Sequence, residues 1–154
     1  MDDPNFEHTV IYVLHIDDDG AVGVVINRPA EVTVSTVLPR WSPYATSPGT
    51  VMKGGPVAQN GLLGVALTPG GVSNIDLTEE PTAGVVSVRV FAGYAGWGPG
   101  QLEDELDEGS WLVVDPRPGD LWSARPAELW NEVLARQPGT TSWLALCPPD
   151  PSAN

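Results

Sequence analysis

Three groups of residues in this chain have types and spacings that could do chemistry. Asp17-Asp18-Asp19-Gly20 opens like a cation loop, Lys53 precedes Gly54-Gly55-Pro56, and Gly96, Gly98 and Gly100 run into an acidic stretch with Asp115 beyond it. A calcium loop of the EF-hand kind needs a glutamate at its twelfth position, where Arg28 stands, so the aspartates read as a solvated turn. A P-loop needs Gly-Lys-Ser or Gly-Lys-Thr, and neither follows Gly55. The Gly54-Gly55 amides could form an anion nest beside Lys53, but a structural turn is the simpler reading.

The third group resembles a dinucleotide-binding turn and fails on four counts. Its spacing is not G-x-G-x-x-G, Pro99 removes an amide, Trp97 crowds the turn, and Glu103, Asp104 and Glu105 stand where phosphate charge would arrive. Trp97 and Tyr94 could stack on a small ligand or anchor a core. His15 is a lone histidine in a strand-like run, and Glu103 with Glu105, two apart on a helix, cannot face one substrate as a pair. No catalytic set, no metal-ligand set and no cofactor motif is legible.

Composition narrows the partners. The chain has 154 residues, the size of one domain, with 20 acids against 7 bases and a net charge of -13. The bases (Arg28, Arg40, Lys53, Arg89, Arg117, Arg125, Arg136) are scattered, so direct nucleic-acid binding and a polybasic membrane contact are not expected. Cys147 is the only cysteine, which excludes an intrachain disulfide. With an acidic start and no apolar run long enough to span a bilayer, the expectation is a cytoplasmic protein.

The elements that must position these groups are short, as 17 glycines and 16 prolines require. Residues 9–16 (TVIYVLHI) and 21–27 (AVGVVIN) predict a hairpin turning at Asp19-Gly20, apolar enough to be covered on both faces. Gly23 marks a bulge or close approach, and Asn27-Arg28-Pro29 ends the strand. Residues 32–38 (VTVSTVL) fit a turn of helix or a strand, 50–53 a strand, 62–67 (LLGVAL) an apolar run, and 68–82 an exposed loop.

Residues 85–92 predict a strand leading into a glycine corner, then a helix started by Gly98-Pro99, with Leu102 and Leu106 on one face and Gly109 as its left-handed stop. Residues 110–115 (SWLVVD) predict an outgoing strand. Pro126 starts a helix with Leu129, Trp130, Val133 and Leu134 on one face, Glu132 paired with Arg136, and Gln137-Pro138-Gly139 as its end. Residues 142–147 (SWLALC) are a last apolar piece before a frayed tail at 148–154.

Gly20-Ala21-x-Gly23, Asn27-Arg28-Pro29, Gly54-Gly55-Pro56-Val57 and Gly93-Tyr94-Ala95-Gly96-Trp97-x-x-Gly100-Gln101-Leu102-x-x-Glu105, with Trp111 and Trp130, resemble the YqgE/AlgH family of small bacterial proteins over residues 3–137. The resemblance implies one α+β domain over 1–154, with a bifurcated, partly barrel-like sheet flanked by a few short helices. It implies no particular activity, and the transcription-regulator label carried by part of the family finds no helix-turn-helix here. Where that family has Glu-His before the hairpin turn, this chain has Leu14-His15-Ile16. The resemblance also implies a strand-like segment upstream of residue 3 and a longer loop at 71–82 than this sequence spells out.

The leading expectation is a non-enzymatic domain that binds a protein or small molecule. Its surface would be Asn27, Arg28, Pro29, Gly54, Gly55, Pro56, Gly93, Gly96, Trp97, Gly100, Gln101 and Glu105. The alternatives are an enzyme with a pocket near Trp97, Gln101 and Glu105, and gene regulation through another protein without direct DNA contact.

Overall fold

The computed structural model describes residues 6–138, so the expectations for 139, for 142–147 and for 148–154 fall outside the described residues. Within them run strands β1 (Ile11–Asp17), β2 (Gly20–Val25), β3 (Pro29–Thr33), β4 (Thr50–Lys53), β5 (Val57–Thr68), β6 (Gly71–Ile75) and β7 (Ser87–Trp97), and helices α1 (Val34–Val37), α2 (Gln101–Asp107) and α3 (Leu129–Ala135). The strands form one open mixed sheet in the order β1-β2-β7-β4-β3, with β5 and β6 branching from β7. The fold is α+β, a forked sheet with short helices.

The hairpin of β1 and β2 pairs antiparallel from Ile11 with Val25 to Asp17 with Gly20. Asp17 closes its turn by accepting the Asp19 amide at 2.8 Å, which is what aspartate does at such a corner. Coverage on both faces holds for β2 and not for β1, an edge strand that leaves Val13 and Ile16 exposed. The strand expected at 50–53 is β4, and 62–67 lies inside the longer β5.

β7 is the spine. Its β-branched and aromatic half alternates between two cores: Phe91 packs with Val24, Met52 and Leu129, while Val88 and Val90 pack with Trp41, Val51 and Leu77. Beyond Gly93 the strand does not stop at a corner, as the run of glycines predicts. It continues to Trp97, pairing Ala95, Gly96 and Trp97 with Gly23, Val22 and Ala21 of β2. The glycines are there for approach, not for turning: a Cβ on Gly93, whose φ is 76°, would lie 2.4 Å from the Gly55 carbonyl oxygen.

Other departures have equally local causes. The expected loop at 68–82 contains β6, because Pro69-Gly70 makes a hairpin that pairs Val65 with Asn74 and Leu67 with Val72. Residues 110–115, expected as a strand, enter no ladder among the described residues: Ser110 is a bend and 111–115 are neither helix nor strand. Helix α2 is capped by Gly100 in the left-handed region, one residue past Gly98-Pro99. At 126 a turn of 3-10 helix precedes α3, whose Leu129, Val133 and Leu134 are buried as their spacing requires. Arg136 forks onto Asp120 instead of Glu132, which stands 3.7 Å from Arg125.

Gly93→Ala should therefore be far costlier than Gly100→Ala, because both sites have positive φ but only the first meets backbone atoms on gaining a methyl. A loss of about 1–2 kcal/mol is expected at Gly100, and at least about 3 kcal/mol at Gly93. Urea unfolding of the two variants checks this, and equal midpoints would show that the strand junction tolerates a side chain.

Candidate functional site

Of the surface residues singled out in the sequence only Trp97 lines the cleft described below; Asn27, Arg28 and Glu105 bond to residues that line it, while Pro29, Gly54, Gly55, Pro56 and Gly93 lie at the fork of the sheet. Asn27 is buried, and both ends of its amide are spent on backbone: Oδ1 accepts the Val10 amide at 2.9 Å and Nδ2 donates to the His8 carbonyl at 2.9 Å. Arg28 reaches the same segment, donating from a guanidinium nitrogen to the Glu7 carbonyl at 2.6 Å. Together they strap residues 7–10 to the end of β2. His8 sits at φ 53°, a left-handed conformation uncommon outside glycine, and its ring packs edge-on to Trp130 at 4.4 Å.

Pro29 opens β3 opposite Met52, and the Lys53 amide donates to the Arg28 carbonyl at 2.7 Å. Gly54 sits in the fork of the sheet. Its amide donates to the Ala92 carbonyl of β7, and its carbonyl accepts from Val25 of β2. A Cβ on Gly55 would lie 2.3 Å from Tyr94 backbone atoms, so the Gly54-Gly55-Pro56 turn is a packing joint against Gly93 and Tyr94.

At the far end of β7, Trp97 is buried against Ala21, Ala95 and Leu102. Gln101 caps the start of its own helix by accepting the Gly98 amide at 2.9 Å, while Glu105 accepts from the Trp111 indole at 3.4 Å. Gly96 and Gly100 contribute no side chain, and Gly96 has only Tyr94 and Val57 within van der Waals range of a would-be Cβ.

What these contacts frame is a cleft of about 750 Å³. One wall is residues 6–13, the other 110–116; Trp97, Leu102 and Leu106 close one end, and Trp130, Val133 and Leu134 of α3 lie beneath. Phe6 stacks on Trp97 at 6.4 Å and meets Trp111 edge-on at 5.5 Å, and the two indoles cross at 6.0 Å. Leu112 and Val113 on the second wall are 56% and 77% exposed. The volume and apolar lining are those of a ligand site.

Two arginines that the sequence reading left among scattered bases hold this region in place. Arg136 grips Asp120 with two bonds, 2.7 and 2.5 Å, and also donates to the Asp115 carbonyl at 3.3 Å, tying the second wall to α3. Arg89 is buried in β7 and donates to the carbonyls of Leu121, Ser47 and Ser123, fastening the following loop across the sheet. Desolvation pushes its guanidinium down to about 10, which still leaves it charged at neutral pH. The signal was available: a lone arginine inside Val88-Arg89-Val90-Phe91, with neighbours of both parities buried, has nowhere to go but inward.

The cleft contains Glu7, His8, Thr9 and Ser110 among its polar groups, and Thr9 already donates to the Phe6 carbonyl. Among the described residues no group of three or more His, Cys, Asp or Glu could hold a metal ion. Asp17-Asp18-Asp19 is instead a hairpin tip where His15 lies 2.6 Å from Asp17. The arrangement suits desolvation and shape recognition of an apolar guest.

The comparisons with known proteins agree with one another. A family model described as AlgH-like matches residues 1–142. The chain is similar to a UPF0301 protein of Streptomyces coelicolor, 47% identical over 171 residues covering 99% of this chain and 89% of the relative. It is also similar to a UPF0301 protein of Thermobifida fusca, 35% identical over 178 residues with 100% and 90% covered. Among solved structures it resembles a Corynebacterium diphtheriae protein with TM-score 0.86 at 28% identity, covering 94% of this chain and 85% of that one. The solution structure of AlgH from Pseudomonas aeruginosa aligns with TM-score 0.65 at 27% identity, with 96% and 88% covered.

The Asp120–Arg136 fork should be visible in acid. Burial alone would raise the Asp120 carboxyl, but the Arg136 bonds and the Arg117 amide outweigh it and hold the group below its usual value. A depressed acid stabilises the fold fully above its unfolded value, near about 4, and loses that contribution as pH falls through the lower folded value. Asp120→Asn should cost about 1–3 kcal/mol at pH 7 by replacing the charged acceptor of Arg136 with a neutral one. It should also flatten the acid limb of a stability-against-pH curve; an unchanged limb would mean that the fork does not hold in solution.

Proposed function

This chain belongs to the AlgH-like family, and we propose that it acts as a non-enzymatic binding domain whose apolar cleft beside Trp97 receives an extended apolar segment of a partner protein. The observation that carries this reading is the second wall. Residues 111–116 enter no ladder among the described residues and leave Leu112 and Val113 exposed beside an aromatic cluster. A strand laid along such a wall gains main-chain hydrogen bonds from the backbone and selectivity from the pockets for alternate side chains.

The residues weighed for catalysis support the binding reading instead. Asn27 spends both ends of its amide and Gln101 its Oε1 on backbone, and Glu105 steadies the Trp111 indole. They position the walls and leave the guest to be recognised by shape and burial. The charge of -13 favours a partner that is neutral or basic around its apolar segment. No helix among the described residues is long and apolar enough to cross a membrane.

A photo-cross-linking amino acid placed at Leu112 should trap a defined intermolecular adduct in cells, whereas the same group at Val72 on the distant β6 should not. Adducts of equal yield at both positions, or none above background at Leu112, would refute the proposal.

A further inference from the structure

An asparagine side chain is open to attack by its own backbone when glycine follows it. The next amide nitrogen closes a cyclic imide on the asparagine Cγ, and glycine, with no Cβ, lets the chain turn into the geometry that closure needs. Asn60-Gly61 is the one Asn-Gly pair in the sequence.

The fold sets that pair off the ladder. β5 pairs Val57 with Tyr94 and next Leu62 with Ala92, so Ala58, Gln59, Asn60 and Gly61 bulge together opposite Gly93 of β7. Ala58 turns the bulge at φ 51°, and Asn60 and Gly61 are both exposed. A Cβ on Gly61 would have only the Ala58 carbonyl oxygen near it, at 3.4 Å. The other described asparagines are each protected. Asn27 is buried with both ends of its amide bonded, Asn74 sits in the β5–β6 ladder before the β-branched Ile75, and Asn131 lies inside α3 before Glu132.

From this we infer that Asn60-Gly61 is a self-modification site, where the Asn60 carboxamide is converted to aspartate and isoaspartate without an enzyme. The Gly61 nitrogen, its proton taken by hydroxide, forms a bond to Asn60 Cγ; the Cγ–Nδ2 bond breaks and Nδ2 leaves as ammonia. Water then opens the imide at either carbonyl, giving aspartate from one and isoaspartate from the other. Water and hydroxide are the only co-reactants, and nothing is oxidised or reduced. Each event adds a negative charge beside the fork, where Gln59 Cα lies 3.3 Å from a would-be Cβ on Gly93. Isoaspartate also lengthens the main chain by a methylene, which in a ladder would break register; residues 58–61 have no partner on β7 to lose. The site lies outside the cleft lining and does not depend on the binding reading.

The test incubates the folded full chain in mildly alkaline buffer made with heavy-oxygen water, then maps its peptides by mass spectrometry. Isoaspartate is read by methyl transfer with an isoaspartyl methyltransferase. The Asn60 peptide should take up heavy oxygen at least about tenfold faster than the Asn74 and Asn131 peptides, yield isoaspartate as well as aspartate, and react faster as pH rises. Gly61→Ala, which the open space around Gly61 accommodates, should keep the parent's melting midpoint and slow the reaction by a similar factor. An Asn60 peptide that stays unlabelled in the folded chain but labels in urea overturns the inference, because the bulge would then withhold the Gly61 nitrogen. An equal rate in Gly61→Ala, with no isoaspartate formed, overturns it too, since water would be cleaving the amide directly. The modified chain, separated by anion exchange, should melt with the parent; a lowered midpoint would show that the bulge does not absorb the longer backbone.

Discussion

Everything in this structure hangs on the way β7 changes partners at Gly93. β5 flanks the strand up to Ala92 and again at Tyr94, β4 pairs with it at Phe91 and Ala92, and from Ala95 it is taken up by β2. Such a fork brings three backbones within bonding distance at one point, where any Cβ would collide. Glycines at 54, 55 and 93 are the solution, and the hydrogen bonds of Gly54 to Ala92 and from Val25 close the gap. The fork then throws Trp97 beyond the body of the sheet, where it can be shared between the core around Ala21 and Ala95 and the end of the cleft.

That geometry explains why short polar motifs gather near the cleft without entering it. Once the strands diverge, the segment before β1 and the segment after α2 are no longer held by ladders, so side chains must fix them. Asn27 and Arg28 do so for residues 7–10, Glu105 for Trp111, and the Asp120–Arg136 fork for residues 115–120. Five of the seven bases are engaged in this kind of internal or surface pairing: Arg28, Arg40, Arg89, Arg125 and Arg136. The positive charge of the chain goes into holding itself together, and the excess acid remains on the surface.

Much of the fold was legible because it is written in local chemistry. Asp-Gly between two β-branched runs announced the first hairpin, and Pro126 followed by apolar residues three and four apart announced α3. What failed was long-range. Gly93 and Gly96 look like a corner in one dimension, since nothing in the sequence shows the backbones of Gly55 and Val57 pressing against Gly93. The strand forecast at 110–115 enters no ladder among the described residues, and β6 hid in a stretch whose Gly, Ser and Asn suggested loop. The same blindness made Asn27 look like a ligand-facing group, because its partners, His8 and Val10, lie nearly twenty residues away in the sequence.

A cleft framed in this way has a physical problem that any account of its role must meet. Leu112 and Val113 face water, and apolar surface on that scale beside three tryptophans costs free energy until something covers it. The exposed pair and the aromatic cluster lie along the same cleft, so a guest that covers only one of them leaves the other in water. The cleft therefore favours a guest long and apolar enough to cover both over one that touches a single end.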